Sequence, residues 1–380
     1  MRSAYIAIVI IFVIEVCLCK PYSNNRVSNK NKNMTISTFG QTTEGENVNL
    51  YTIKNNNGIV LKMMNYGAIV ISFDVPDREG NISNINLGYR TLEGYLKSNP
   101  YFGATIGRFG NRIANGKFSL NGEKYQLPTN DGSNHLHGGN LGFDKVLWDA
   151  KTFENGNESG IEFTYLSPDG DQGYPGNLMV TAIYTLTNDN KLKVEFSAET
   201  DKATPINLTN HNYWNLGGAG TGSILEHDLT INADSYLEVD NTLIPTGKLI
   251  SVDDTPFDFR SVREIGESIF SIPEIENLPQ GYDHCFVLND TGETLTLAAT
   301  VKHQKSGRKM EIFTNQPAIQ FYSGNFLDGS FDSGGYQHYY GFCLETQHYP
   351  DSPNHSHFPS TVLYPGSTYY HLTVHQFSYE

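Results

Sequence analysis

Lys191-Leu192-Lys193-Val194-Glu195-Phe196-Ser197-Ala198 decides the fold class. Every second side chain is apolar, and those between are charged or polar. A period of two is the pattern of a pleated strand with one buried face, because successive Cβ atoms point to opposite sides. The same alternation runs through Ile161, Phe163 and Tyr165, and through Val180, Ala182, Tyr184 and Leu186. Leu295 and Leu297 repeat it within Glu293-Thr294-Leu295-Thr296-Leu297. Turn-forming pairs separate such runs: Asn57-Gly58, Asn121-Gly122, Asp131-Gly132, Asn155-Gly156, Asp169-Gly170 and Asp328-Gly329. Helical spacing is nearly absent, and the best short candidate lies near Ser261 to Phe270. The pattern predicts an all-β chain of many short antiparallel strands, in a large sandwich or closed sheet. No internal repeat or interior linker interrupts it, so one domain is expected over residues 36–380.

Composition agrees with a large core: 23 Tyr and 21 Phe stand among 380 residues. The formal net charge of −15 argues against nucleic acid and anionic membrane surfaces as partners, since both repel an acidic chain. The first residues stand apart. Arg2 precedes an apolar run from Ala4 to Ile14, which predicts a secretory signal peptide over residues 1–19, too short for a comfortable span. Residues 20–35 follow as a polar, basic linker with almost nothing to bury, and disorder is expected there. The mature chain is therefore expected outside the cell, with no membrane attachment, as a monomer or weak dimer. Cys17 and Cys19 fall in the leader. Cys285 and Cys343 remain, each in an apolar run, and buried free thiols are expected rather than a disulfide framework. Sequons occur at Asn33, Asn81, Asn157, Asn207, Asn289 and Asn354. Asn207 adjoins a motif expected to be buried and is excluded as a glycan site.

Chemistry is concentrated in a few places. Gly341-Phe342-Cys343-Leu344-Glu345-Thr346-Gln347 sets one carboxylate in a run that otherwise reads as a buried strand, which is costly unless something pairs with Glu345. His211 lies among amides and aromatics in Thr209-Asn210-His211-Asn212-Tyr213-Trp214. His135 and His137 are two apart and would share one face of a strand. No further ligand at zinc spacing lies nearby, so no metal is expected, and either histidine can be read as a hydrogen-bonded structural residue. Gly107 to Gly116 packs Arg108, Asn111, Arg112 and Asn115 among glycines. Such planar donors suit hydroxyl groups, or they pair with surface acids. Asp283 opens an apolar strand, as a turn cap or as a site residue. The histidines of Asn354-His355-Ser356-His357 read as solvated loop residues. Gly217-Gly218-Ala219-Gly220 lacks the strand–helix context of a dinucleotide site, and no Gly-x-Ser-x-Gly elbow occurs.

In order along the chain, six blocks now stand out: Gly107 to Asn115, Leu136-His137-Gly138-Gly139 with Gly142 to Trp148, Thr209 to Tyr213, Gly281 to His284, Gln316 to Asn325, and Phe342 to Gln347. This series resembles the aldose 1-epimerase (galactose mutarotase) family from about residue 40 to the C-terminus. The resemblance implies a large, mostly antiparallel β-sandwich with an open sugar cleft, and interconversion of the α and β anomers of free hexoses such as galactose and glucose. It implies Glu345 as general base, His211 as general acid and His137 as their support. Asn111, Arg112, Tyr213, Asp283 and Gln320 are implied to hold sugar hydroxyls, and no cofactor is implied. Trp214 departs from the Phe common at its position. Two rivals use the same fold: a hexose-phosphate epimerase, which needs a basic cluster beyond Arg108 and Arg112, and a sugar-binding protein without turnover.

Overall fold

Nine antiparallel strands form the largest sheet, in the order 149–155, 158–167, 178–187, 191–200, 369–379, 308–314, 296–303, 227–231 and 263–264. A computed structural model describes residues 33–97, 100–290 and 294–380. The expected leader and the expected linker up to residue 32 lie outside these residues. Met34 and Thr35, placed in the linker by sequence, belong to the first strand, Met34–Gln41.

Two five-stranded antiparallel sheets complete the frame. One takes residues 34–84 in chain order, and the other runs 245–251, 233–239, 283–288, 318–322 and 343–347. The main apolar core draws on all three, with Phe73 from the first, Phe196 and Ile312 from the nine-stranded sheet, and Phe321 and Leu344 from the third. The alternation read from sequence is what packs it. Leu192, Val194, Phe196 and Ala198 are all buried, as are Ile161, Phe163, Val180, Ala182, Tyr184 and Leu186. The fold is the all-β, antiparallel sandwich that the sequence predicts.

Three local expectations need correction. Residues 261–270 form no α-helix: Arg263–Glu264 pairs with Asp228–Leu229 as an edge strand, and two 3₁₀ turns follow at Ile265–Glu267 and Ile269–Ser271. Ile265 and Ile269 are both buried, which is what gave the stretch its helical spacing. Leu295 and Leu297 are 41% and 39% exposed, because a bulge between Leu297 and Ala299 shifts the phase and turns Ala298, Ala299 and Val301 inward instead. His355 is not solvated: its Nε2 lies 3.2 Å from the buried carboxylate of Asp351. Among the described residues the one α-helix is Leu92–Lys97, and no helix is long and apolar enough to cross a membrane.

Candidate active site

The strand Cys343–Gln347 is buried along its whole length, and its two faces do different things. Leu344 and Thr346 face the nine-stranded sheet, where the Thr346 hydroxyl bonds to His371 and Thr373 at 3.0 and 2.6 Å. The pleat therefore sends Cys343 and Glu345 to the opposite face. Residues 209–214 cross on that side and are tied down at both ends. Trp214 and Phe342 exchange backbone hydrogen bonds of 2.7 and 3.0 Å, and Thr209 Oγ1 donates to the Thr346 carbonyl at 2.9 Å. His211 is held between these ties, with Nε2 3.6 Å from Glu345 Oε1.

A cavity of about 410 Å³ opens over this pair. Its lining includes the polar side chains of His137, His211, Glu345, Asn111, Arg112, Asp131 and Asp283, together with Leu243, Leu278, Tyr322, Phe326 and Leu327. The motif at 107–116 and the one at 134–139 meet through the short ladder of Arg112–Ile113 with His135–Leu136. After Leu136 the chain leaves the strand: His137 has φ +50° and Gly138 has φ +85°. A Cβ at Gly138 would lie 1.8 Å from the Gly107 carbonyl oxygen, so only glycine allows the two loops to touch. His135 and His137 consequently do not share a face. His135 is packed inside with Nδ1 on the Pro128 carbonyl at 2.8 Å and Nε2 on the Tyr174 hydroxyl at 2.7 Å. His137 turns into the cavity, where the Asn111 N–H donates to its Nδ1 at 3.1 Å.

Arg112 is the one cationic side chain among the described residues lining this cavity. Its Nε lies 2.8 Å from Asp131 Oδ2, and its Nη1 lies 3.7 Å from Asp283 Oδ2. Gln320 Nε2 donates to Asp283 Oδ1 at 2.7 Å. Gln320 thus stands behind Asp283 and is not among the lining side chains. Tyr213 lines the cavity, but its hydroxyl donates to the Pro100 carbonyl at 2.8 Å and its ring stacks on His211, centroids 5.0 Å apart. Arg108 does not reach the cavity. It is buried against the Pro175 and Gly176 carbonyls and the Ser167 hydroxyl, holding a loop together.

Burial sets the charges. It pushes Glu345 well above the ordinary carboxylate range, with Asp283 adding to the rise and Arg112 opposing it. It pushes His211 down to about 3. His137 lies well below the imidazole range, through burial and then the positive fields of His211, Arg112 and Lys145. Burial therefore favours the neutral form of all three, with the proton of the His211–Glu345 pair on the carboxyl. Glu345 Oε2 is buried and has no hydrogen-bond partner within the protein. Such an oxygen is expensive to leave unmatched.

His137, His211 and Glu345 each bring a possible ligand atom to within 4.8 Å of the others. The tautomer argues against a metal. A histidine that binds a metal donates its other ring N–H to a neighbour. At His137 the second nitrogen accepts, from Asn111, so the neutral ring carries its hydrogen on Nε2 and offers the cavity a donor instead of a lone pair.

Of the lining residues that sequence did not assign to the site, three stand out. Tyr101, at φ +66°, sets its ring edge-on to His137 at 4.6 Å and stacked on His211 at 5.8 Å, with the Lys145 ammonium 5.2 Å from its centroid. Nothing in the pattern around it signals this. Asp131 was read only as a turn residue, and its pairing with Arg112 is visible only in space. Tyr322 lies within a block that carries the resemblance, without an assigned part.

A family profile described as aldose 1-epimerase matches residues 49–376. The chain is 46% identical over 319 residues to galactose mutarotase of Bos taurus, covering 83% of this chain and 90% of that one. It is 40% identical over 338 residues to aldose 1-epimerase of Escherichia coli, covering 88% and 96%. The crystal structure of galactose 1-epimerase from Lactobacillus acidophilus superposes with a TM-score of 0.81 at 30% identity, covering 91% of this chain and 98% of that one. The fold and these relatives define an isomerase of sugars. The chain belongs to the aldose 1-epimerase family, whose reaction interconverts the α and β anomers of free aldoses.

Proposed function

We propose that the chain anomerises galactose and glucose with Glu345 as base and His211 as acid, and without a metal or organic cofactor. The observation that carries this is the 3.6 Å separation of His211 Nε2 and Glu345 Oε1, both side chains lining one cavity. The anomeric hydroxyl and the ring oxygen are bonded to one carbon, C1. An acid and a base that serve them in one event must lie close together.

With sugar bound, the shared proton sits on His211 and Glu345 is ionised. Glu345 removes the proton from the anomeric hydroxyl, C1 becomes a carbonyl carbon, the C1–O5 bond breaks, and His211 protonates O5. The C1–C2 bond rotates. Closure on the other face returns the O5 proton to His211 and the Glu345 proton to O1. Nothing is oxidised or reduced. His137, fixed as an Nε2–H donor, supports the ring-oxygen side. Arg112, Asp283 and Asn111 are placed to hold hydroxyls, Gln320 acts by orienting Asp283, and Tyr213 acts by stacking on His211.

A phosphorylated sugar is disfavoured because the one lining cation already serves two carboxylates. A protein that only binds sugar would gain nothing from burying a carboxyl beside an imidazole at such cost. The apolar leader supports secretion of a product beginning near Lys20, acting as a monomer or weak dimer. Polarimetry on freshly dissolved α-galactose and α-glucose tests the reading. Rates should rise in proportion to protein and survive exhaustive chelation. Loss with chelator and recovery with one divalent ion would overturn the cofactor-free assignment, and catalysis confined to hexose phosphates would overturn the substrate.

A further inference from the structure

Cys343 and Glu345 stand two residues apart on one strand, so both side chains reach the same face. His211 lies across from that face, and each of its ring nitrogens meets one of them. Nε2 is 3.6 Å from Glu345 Oε1, and Nδ1 is 3.5 Å from Cys343 Sγ. Tyr213 and Tyr101 stack on the ring, and His137 meets it edge-on at 5.1 Å. Cys343 is wholly buried and His211 is 4% exposed, so solvent has little access to Nδ1.

The chemistry of sulfur matters in this position. A carboxylate or carbonyl behind the ring would fix a hydrogen on Nδ1 and favour the charged imidazolium. A thiol is a weak donor and a weak acceptor. Burial, with Glu345 and Asp283 nearby, keeps this thiol protonated. Nε2 faces Glu345 and has to take and give the moving proton, so the neutral ring needs its hydrogen on Nδ1, where the sulfur accepts it. The sulfur accepts from the same Nδ1–H once Nε2 is also protonated and the ring is charged. The ring keeps its place in both states, and neither state is strongly favoured.

We propose that Cys343 is a positioning residue for anomerisation: it sets the Nδ1–H tautomer of neutral His211, which leaves the Nε2 lone pair for the moving proton, and keeps the ring aimed at the cavity through both charge states. The thiol proton stays on sulfur throughout, and no bond to sulfur forms. The proposal rests on His211 as the proton carrier.

The test uses full-length protein labelled with ¹⁵N-histidine, carrying Cys343→Ala or Cys343→Ser, with His211→Asn to assign the signals. Long-range ¹⁵N–¹H correlation reads the tautomer, and polarimetry reads kcat and KM. The parent should show Nδ1–H at neutral His211. The alanine variant should show mixed tautomers and a kcat about 10-fold lower at unchanged KM, the lower end for loss of a partner behind a functional histidine. The serine variant, which keeps a hydroxyl oxygen in place as acceptor, should hold Nδ1–H and recover much of the lost kcat. An unchanged tautomer in the alanine variant, with or without a fall in kcat, overturns the proposal. Should alanine not fold, the serine variant decides, and the Nε2–H tautomer there overturns it. Undiminished turnover in His211→Asn would instead refute His211 as proton carrier, while the tautomer signals still report on Cys343.

Discussion

At the scale of single residues, Glu345 and His211 are placed where neither keeps its ordinary protonation. Burial raises the carboxyl and lowers the imidazole, so one proton belongs to the pair over a wide range of pH. The sign of the pH dependence follows. Acid adds a second proton and removes the base, with a limb displaced below the ordinary imidazole range toward about 3. Alkali removes the single proton and with it the acid, with a limb displaced above the ordinary carboxylate range. A bell-shaped profile of kcat/KM with a plateau at neutral pH is expected in a buffered rate series. A steep fall between pH 7 and 6 would mean that His211 titrates as an exposed imidazole. Glu345 was legible in the sequence because a carboxylate in an apolar run demands a reason. The protonation state was not, because it follows from the depth of burial, which lowers the imidazole. Tyr101 and Asp131 were not legible either, since their contacts join loops far apart in the chain.

At the scale of elements, the strand Cys343–Gln347 carries both structure and chemistry through its pleat. Leu344 is 4% exposed in the main core, while its neighbours Cys343 and Glu345 serve the site. Leu344→Ala should lower stability by about 2–5 kcal/mol, the usual range for a buried Leu, and move the midpoint of a denaturant titration to match. Turnover of the fraction still folded should fall too, because the strand that aims Glu345 loses its inner anchor. A midpoint unchanged from the parent would place Leu344 outside the core. The strands were legible wherever alternation was long, as at 178–187 and 191–200. The reading failed where another force reset the phase: a bulge turned Leu295 and Leu297 outward, and edge pairing at Arg263–Glu264 overrode the spacing of Ile265 and Ile269. His137 shows the same limit, since two residues of strand and a positive φ separate it from His135.

At the scale of the whole molecule, three antiparallel sheets share one core, and the cavity opens at the face of the sheet that holds the 343–347 strand. The class of fold was legible because so many strands repeat one period. The order of strands within each sheet was not, because residues 369–379 insert between 191–200 and 308–314 through pairings that no local pattern announces. Beyond the fold, Arg2 and the apolar run from Ala4 to Ile14 support export, and Asn81, Asn157 and Asn289 are exposed sequons, whereas Asn207 is fully buried. Mass spectrometry of the protein from its native cells should find an N-terminus near Lys20 and a glycan on at least one of the three. A full-length intracellular chain retaining Met1 would contradict export.

All of this converges on the base. Glutamine at position 345 keeps the shape and hydrogen-bonding reach of the side chain and removes its basicity. General acid–base catalysis contributes about 10²–10⁴-fold. Polarimetry of α-galactose with Glu345→Gln should therefore show a rate lower by about that factor, while sugar binding by calorimetry stays close to the parent's. A variant that mutarotates galactose at nearly the parental rate would contradict the assignment of Glu345 and reopen His137 and Asp283 as candidates for the base.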